Sequence, residues 1–242
     1  MNRGIYATAT GMIASQQLMD VIAQNLANAN TTGYKRDAIA FDDALVRELR
    51  ADGGRGPVIG SIGMGSVEKG RFTVFDEGSI TETGNVLDLA IRGGEGAFAI
   101  QTDRGVRFTR DGAFTRSSEG IMVTKQGNPV LDNQGKSIDL PEGKEVEIGN
   151  DGSVIVEGVE IAQLGIFRGQ FTKEGNNLFS ATGATLMENP EIQPKAIEGS
   201  NVNTIEAMVA MINVSRSYEM AQRSITSQDE LTQKLIQSLP NQ

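Results

Sequence analysis

The sequence predicts an α+β protein in which long helices at the two ends of the chain flank a body of short antiparallel strands. Three observations indicate this fold class. Large apolar residues recur every seventh position near the N-terminus, a similar spacing returns in the C-terminal segment, and short alternating runs separated by glycine turns fill the middle. A chain of 242 residues is long enough for one compact body with extensions.

Residues 1–35 are predicted to form an N-terminal core helix. The heptad row consists of Ile5, Met12, Met19 and Leu26, with Ile22 on the same stripe. Arg3 and Asp20 are the only charged residues before residue 30, and the other face is made of serine, threonine, glutamine and asparagine. A helix so poor in charge is expected to pack against a partner.

The end of this helix is marked by the stretch AQNLANANTTGYKR at residues 23–36. Asn28 and Thr31 compete with helical structure by bonding local backbone groups, and Gly33 suits a left-handed cap. The helix is therefore predicted to end near Asn30.

Residues 36–70 are predicted to hold a second helical piece and a glycine-rich connector. The stretch FDDALVRELRA, residues 41–51, is interpreted as helical. The following stretch, DGGRGPVIGSIGMGS, contains too much glycine for regular structure and favours a flexible connection.

Residues 71–190 are predicted to form a mainly antiparallel all-β domain. Alternating runs such as VRFTR, EVEI and SVIVEGVEI lie between recurrent turn signals. The turn signals are Asp111-Gly112, Glu119-Gly120, Gly127-Asn128, Gln134-Gly135, Glu142-Gly143, Asp151-Gly152 and Glu157-Gly158.

Residues 191–242 are predicted to end the chain with a second core helix. Its apolar rows include Met211, Val214, Tyr218, Ile225 and Leu235. Asn201 or Asn203 is a candidate N-cap. The two terminal helices are expected to pair as a coiled-coil-like core. Burial of one narrow apolar seam offsets only a small part of the conformational entropy that about 30 residues lose when they become helical. We therefore expect the helices to become ordered against neighbouring molecules.

Composition excludes several classes of function. A net charge of −9 with a pI near 4.7 argues against binding to a nucleic acid backbone. Without cysteine or histidine, the chain lacks the metal ligands that proteins use most often. It also lacks a cysteine nucleophile and a histidine general base. We therefore expect no catalytic, cofactor-binding or metal site. Neither a secretory signal nor a membrane-spanning run is recognisable in the sequence.

Two patterns that resemble catalytic chemistry have simpler interpretations. GEGAFA at residues 94–99 matches a dinucleotide-binding pattern, but a strand-like FAIQT follows where a helix is required. The carboxylates Glu145, Glu147, Glu157 and Glu160 allow a glycosidase in principle. Their alternation predicts that they face solvent.

The terminal motifs resemble those of the bacterial flagellar basal-body rod and hook family. AQNLANANTTGYKR is similar to the N-terminal signature of that family, and EGSNVNTIEAMVAMINVSRSYEMAQRSI to its C-terminal one. The middle stretches LDLAIRGGEGAFAIQT and RFTRDGAFTRSSEGIMVTKQGNPVL resemble the β domain that rod proteins share. The resemblance covers essentially the whole chain and is to rod proteins of the proximal or distal type.

This resemblance implies a terminal-helix core domain, D0, and an outer β domain, D1. It implies a non-enzymatic rod subunit that polymerises into a helical tube, transmits torque from motor to hook and forms part of the export channel. Export through the flagellar type III apparatus without a cleaved signal peptide is implied as well. The expected partners are further copies and other rod and hook proteins, and contact with a bushing ring is left open.

Specific residues follow from the helical patterns and the resemblance. The residues expected to pack between subunits are Ile5, Met12, Met19, Ile22, Leu26, Met211, Val214, Tyr218, Ile225 and Leu235. The N-terminal motif comprises Asn25, Leu26, Asn28, Thr31, Gly33 and Tyr34, and the C-terminal motif Ser200, Asn201, Val202 and Asn203. The amide side chains are expected to bond backbone groups of neighbouring subunits without adding charge.

A different class of function remains open at this level. The chain could be a secreted or surface binding module whose β body holds a ligand and whose helices only oligomerise it. Such a protein would form a closed oligomer in dilute solution.

Overall fold

A computed structural model describes residues 3–43, 46–50, 58–63 and 65–238, which belong to two compact units. Unit 1 combines Met1–Leu26, Asp37–Phe72 and Thr204–Gln242. Unit 2 combines Ala27–Arg36 and Thr73–Asn203. Two helices and a mostly antiparallel β domain are therefore present, as predicted.

Unit 1 is built from the terminal helices and the first four strands. These elements are α1 (Arg3–Ala27), β1 (Asp37–Asp43), β2 (Val46–Arg50), β3 (Val58–Gly63), β4 (Ser66–Thr73) and α2 (Thr204–Ser238). Hydroxyl groups on α1 bond the preceding turn, for example Thr8 Oγ1 to the Gly4 carbonyl at 2.7 Å, so this weakly charged helix satisfies its own polar groups. Across the described residues, neither helix carries an apolar stretch long enough to cross a membrane.

The helix predicted over residues 41–51 is wrong for the described part of that range. β1 covers Asp37–Asp43 and pairs with β4, and β2 covers Val46–Arg50 and pairs antiparallel with β3. An isolated helix of that length is marginal in water, whereas strand pairing satisfies the backbone of both partners. Pairing with a distant segment therefore overrides the local preference.

The glycine-rich connector also differs from the prediction. Residues 58–63 form β3, in which Gly60 pairs with Leu49 and Gly63 with Val46. Glycine keeps its backbone donor and acceptor, so it can complete a strand ladder although it lowers strand propensity. Residues 51–57 and 64 of the predicted connector lie outside the described residues.

The helix ends lie close to their predicted positions. α1 ends at Ala27, before the predicted Asn30, because residues 28–33 turn. Within that turn the Thr31 backbone N–H donates to the Asn28 carbonyl at 3.1 Å. α2 begins at Thr204, which places Asn203 rather than Asn201 at the N-cap position.

Unit 2 consists of thirteen short strands. They are β5 (Ile80–Glu82), β6 (Leu89–Ile91), β7 (Ala97–Thr102), β8 (Gly105–Thr109), β9 (Phe114–Arg116), β10 (Met122–Thr124), β11 (Val146–Ile148), β12 (Ser153–Val156), β13 (Val159–Gln163), β14 (Ile166–Gly175), β15 (Leu178–Leu186), β16 (Ile192–Pro194) and β17 (Ala196–Glu198). A closed barrel has the order β14-β15-β8-β7, and β11-β12-β13 form a three-stranded antiparallel sheet. The remaining strands form antiparallel pairs β9 with β10, β6 with β16, and β5 with β17.

The predicted turns join these strands. Six of the seven predicted turn glycines have a positive φ: Gly120, Gly127, Gly135, Gly143, Gly152 and Gly158. Between β12 and β13, Glu157 and Gly158 both have positive φ, which matches a two-residue hairpin turn. These residues fix the register of the sheet.

Two apolar clusters stabilise unit 2. The larger core includes Leu89, Phe98, Met122, Leu140 and Ile166, all of them at most 1% exposed. A second cluster centres on phenylalanine rings of the barrel, and the stacked rings of Phe75 and Phe171 have centroids 5.1 Å apart. The β body therefore has its own core despite the low aromatic content of the chain.

Candidate assembly surface and terminal-motif junction

The predicted seam of α2 is its least exposed stripe. Met211, Val214, Tyr218 and Ile225 are half-buried, as are Ala207 and Ala221 on the same rows, whereas most positions between them are exposed. The side chain of Leu235 lies outside the described residues. The heptad rows read from the sequence thus coincide with the stripe of lower exposure on this helix.

The predicted seam of α1 is more buried. Ile22 is buried, and Ile5, Met12, Met19 and Leu26 are half-buried. Of the described side chains on α1, Val21 and Asn25 are buried together with Ile22, near the end of the helix. The larger apolar residues of this row therefore lie on a covered or partly covered face.

A further group of large apolar side chains on the helices faces water. On α2 they are Ile205, Met208, Val209, Ile212, Met220 and Leu231, and on α1 Tyr6 and Ile13. Ile205 is 73% exposed and Ile13 is 59% exposed. Ile205, Val209 and Ile212 follow helical spacing, so they form a continuous apolar stripe. Such a stripe is typical of a surface that another molecule covers.

The two terminal signatures meet in unit 2. The Gly33 N–H donates to the Glu198 carbonyl at 2.8 Å, and the Asn201 N–H donates to the Tyr34 carbonyl at 3.3 Å. The Arg36 N–H donates to Asn201 Oδ1 at 2.7 Å. Two segments that are far apart in sequence thus form one hydrogen-bonded structure. We call it the motif junction; it consists of residues 31–36 and 198–202 and the residues that contact them.

Amide side chains of the motifs bond the chain's own backbone. Asn201 Nδ2 donates to the carbonyls of Val74 and Asp76, at 2.9 and 3.0 Å. Within unit 1, Asn25 donates to the Asp37 carbonyl at 2.8 Å and accepts from the Asp37 N–H at 2.9 Å. Asn25 and Asn201 therefore fix local structure within the chain, and Asn201 holds the carbonyls of residues 74 and 76 in place of the predicted helix cap.

Other motif residues are held by side chains of the β body. Thr32 Oγ1 donates to Asp111 Oδ1 at 2.8 Å, and Asn177 Nδ2 donates to the Thr32 carbonyl at 2.8 Å. The buried ring of Tyr34 lies under the ammonium of Lys173, which is 4.0 Å from the ring centroid. Ser200 and Val202 are half-buried, and Asn203 is exposed.

Gly33 lies where the backbone of the junction leaves no room for a side chain. Its φ is 65°, as expected for a left-handed cap. A Cβ placed on Gly33 would lie 2.3 Å from the carbonyl carbon of Arg110 and 2.4 Å from its oxygen. Conformation and space therefore both select glycine here.

A buried ionic triad lies at the centre of the motif junction. Lys35 Nζ is 2.6 Å from Glu198 Oε1, and Arg110 Nε is 3.0 Å from Glu198 Oε2. The three side chains are at most 1% exposed. Lys35 also donates to the Asp76 carbonyl at 2.7 Å, Arg110 Nη1 to the Gly96 carbonyl at 2.9 Å, and Glu198 accepts from the Gly78 N–H at 2.8 Å. Each ion therefore has partners besides its counter-ion.

Burial is the largest influence on the pKa of each of the two cations. It lowers the pKa of Lys35, and the nearby charge of Arg110 lowers it further, while Glu198 opposes both effects. Burial likewise lowers the pKa of Arg110, again against Glu198. Glu198 is the carboxylate that opposes the lowering of both pKa values most strongly.

The triad was not predicted from the sequence. Lys35 and Glu198 lie inside the two signatures, YKR and EGSNVN, so a pair of opposite charges was available as a signal. Arg110 gave no such signal because it lies far along the chain, directly after the strand β8. The meeting of the three residues depends on the fold of the β body.

The carboxylates considered for a glycosidase do not form a site. Glu145, Glu147 and Glu160 are exposed, and Glu157 forms an ion pair with Lys144 at 2.8 Å. Among the described residues, no three histidine, cysteine, aspartate or glutamate side chains are grouped to hold a metal ion. The solvent exposure that was predicted for these four glutamates is confirmed.

Three regions of the chain match known protein families. Residues 5–35 match the flagella basal body rod protein family, residues 90–156 the flagellar hook protein FlgE/F/G D1 domain, and residues 193–238 the flagellar basal body rod FlgEFG protein C-terminal family. These matched regions contain both terminal motifs and a large part of the β body.

Full-length relatives give the same assignment. The chain is 31% identical to the flagellar basal-body rod protein FlgF of Caulobacter vibrioides, over 99% of this chain and 98% of the relative. It is 33% identical to FlgG of Agrobacterium fabrum, over 98% and 99% of the two chains, and 31% identical to FlgG of Bacillus subtilis, over 98% of each. The predicted resemblance is confirmed, as is the prediction that the chain is not an enzyme. This chain belongs to the flagellar basal-body rod protein family, whose members are structural proteins of the flagellar basal body.

Proposed function

We propose that this chain polymerises through its terminal helices into a helical tube that transmits torque from motor to hook and encloses part of the export channel. The observation that carries the proposal is the apolar surface of α1 and α2 in the single chain. Head-to-tail contacts that do not close into a ring generate such a tube. In this role, the helices form the core domain D0 and the β body forms D1.

The distribution of polar and apolar residues supports this division. The helices expose Ile205, Val209 and Ile212 to water and carry few charges on α1, whereas the β body buries its large core. Exposed apolar stripes on a helix are stabilised when another helix packs on them. The proposed subunit contacts are the ten seam residues given above, five on α1 and five on α2.

The partners proposed for these surfaces are further copies of the chain and other rod and hook proteins. The proposed route to the assembly site is the flagellar type III export apparatus, without a cleaved signal peptide. Marginally stable helices suit such a route because a chain with ends of this kind unfolds from those ends at low cost.

Aspartate at the seam tests this proposal. Met19→Asp and Ile225→Asp should leave the β body folded and abolish assembly and motility, because each places a charge on an apolar contact at a cost of several kcal/mol. Swimming of complemented cells and sedimentation of the purified chain provide the measurements.

Matched controls place the same charge on the exposed side of each helix. Gln16→Asp and Ser224→Asp replace polar side chains that are already exposed, so each should disturb assembly less than the change at the nearby apolar seam residue. Normal swimming by the Met19 and Ile225 variants would show that the seam is assigned to the wrong residues.

A further inference from the structure

Three of the places where the chain enters or leaves unit 2 lie next to each other. The chain passes between the units after residues 26, 36, 72 and 203. Arg36 is the last residue of unit 2 before the second passage, and Val74 is the second residue of unit 2 after the third. Asn201 lies three residues before α2 begins. We call Arg36, Val74 and Asn201 the exit triangle.

A hydrogen bond joins each pair of residues in the exit triangle. The Arg36 N–H donates to Asn201 Oδ1 at 2.7 Å, and Asn201 Nδ2 donates to the Val74 carbonyl at 2.9 Å. The Val74 N–H donates to the Arg36 carbonyl at 2.9 Å, which closes the ring of contacts. Segments from three distant parts of the chain are therefore held at one point of unit 2.

Asn201 uses both ends of its amide in this arrangement. Its Oδ1 accepts from one neighbouring segment, whereas its Nδ2 donates to the other, at the Val74 carbonyl and at the Asp76 carbonyl 3.0 Å away. Its backbone N–H also donates to the Tyr34 carbonyl at 3.3 Å. An aspartate of the same size could accept but not donate. The contact with two segments at once therefore selects an amide side chain.

Each segment of the exit triangle is anchored in the β body within a few residues. Lys35 and Glu198 belong to the buried triad. The ring of Phe75 packs against the rings of Phe171 and Phe179, with centroids 5.1 and 5.0 Å away. The members of the exit triangle themselves are exposed or half-buried. The exit triangle is therefore an outer link between three segments that are each fixed separately further inside.

We propose that Asn201 is a positioning residue that links the three segments, so that torque reaching one of them is shared by all three. The proposal rests on the torque transmission proposed above. Hydrogen bonds loaded together resist a pull better than bonds that break in turn, and a closed network supports each of its members. Without the Asn201 amide, the segment that leads to α2 keeps only its backbone bond to Tyr34 among these contacts.

Hydrogen exchange of the full chain as a dilute monomer tests these contacts. Asn201→Ala should raise the exchange rate of the Arg36 N–H about tenfold or more, because this donor loses its acceptor. Ile138→Val is the control, since it removes one buried methyl group from the larger core and should leave the Arg36 N–H protected. An unchanged rate at Arg36 in Asn201→Ala would show that the amide does not hold this segment.

Motility under load tests the role of Asn201. Cells that carry Asn201→Ala should assemble rods and swim in dilute medium, but lose swimming in medium of high viscosity, where the rod carries more torque. Ile138→Val lowers stability without touching the exit triangle, so these cells should swim like the wild type in both media. Asn201→Asp loses both donors to the segment at residues 74–76 and should also fail under load. It provides a second variant if the alanine chain folds poorly, as judged by thermal unfolding.

Two results would overturn the proposal. One is wild-type swimming of the Asn201→Ala cells at high viscosity. The other is equal slowing of the Asn201→Ala and Ile138→Val cells, because the loss would then follow stability alone. Failure of the proposed helix-based function would appear differently, as normal assembly and swimming by the Met19→Asp and Ile225→Asp cells.

Discussion

Replacing Glu198 with alanine is expected to lower the free energy of unfolding of the β body by about 4 kcal/mol or more. The change removes the only carboxylate of the triad and leaves Lys35 and Arg110 buried beside each other. Two like charges in an enclosed site repel, and both have lost the water that would otherwise solvate them. A stability of 5 to 15 kcal/mol is typical of a domain, so much of it would be lost.

Urea unfolding followed by far-ultraviolet circular dichroism measures this effect. Glu198→Gln should be destabilised as well, because a neutral amide retains the shape but cannot balance two cations. Glu174→Ala is the control, since it removes the ion pair of Glu174 with Arg107 on the surface and should scarcely move the unfolding midpoint. Equal midpoints for Glu198→Ala and the wild type would show that the triad does not stabilise the fold.

Replacing Gly33 with alanine is expected to destabilise the motif junction by about 3 kcal/mol or more. The left-handed backbone alone costs alanine about 1 kcal/mol. The larger part of the loss comes from the Arg110 backbone, which lies 2.3 Å from the new Cβ. Relief of that clash would separate the Gly33 N–H from the Glu198 carbonyl and disturb the chain next to the triad.

Gly84 provides a matched control for the backbone effect. Its φ of 78° is also left-handed, but a Cβ there would meet no atom within 4 Å. Gly84→Ala should therefore lower the free energy of unfolding only by the cost of the left-handed backbone. The extra loss in Gly33→Ala then measures the cost of the clash with the Arg110 backbone. Equal losses of stability in urea would contradict the steric account of Gly33.

The helices could be predicted from the sequence because their information is local. Met12 and Met19, or Tyr218 and Ile225, repeat on one face of a single helix, and no knowledge of the rest of the fold is needed to see this. Turns such as Glu157-Gly158 were predictable for the same reason, since glycine at a left-handed position is a property of one or two residues.

The first four strands and the triad depend on distant parts of the chain. β2 exists because Val58–Gly63 lies alongside it, and a glycine-rich segment gives no sign in sequence that it will form a strand. Lys35, Arg110 and Glu198 come from three distant positions, so their ion pairs arise only when the β body has folded. The amide groups were recognised as backbone partners, but the sequence did not show that Asn25 would bond Asp37 or that Asn201 would bond residues 74 and 76.

Hydrogen exchange of the purified chain, as a dilute monomer and after assembly, tests most directly whether the helices become stable only in the polymer. In the monomer, α1 and α2 should exchange rapidly, whereas residues 33–35 and 198–201 of the motif junction should be protected together with β7 and β14. Assembly should then protect both helices. Slow exchange of α1 and α2 in the dilute protein, together with a sharp mass for a closed oligomer, would contradict this account and favour a binding module that is complete without a rod.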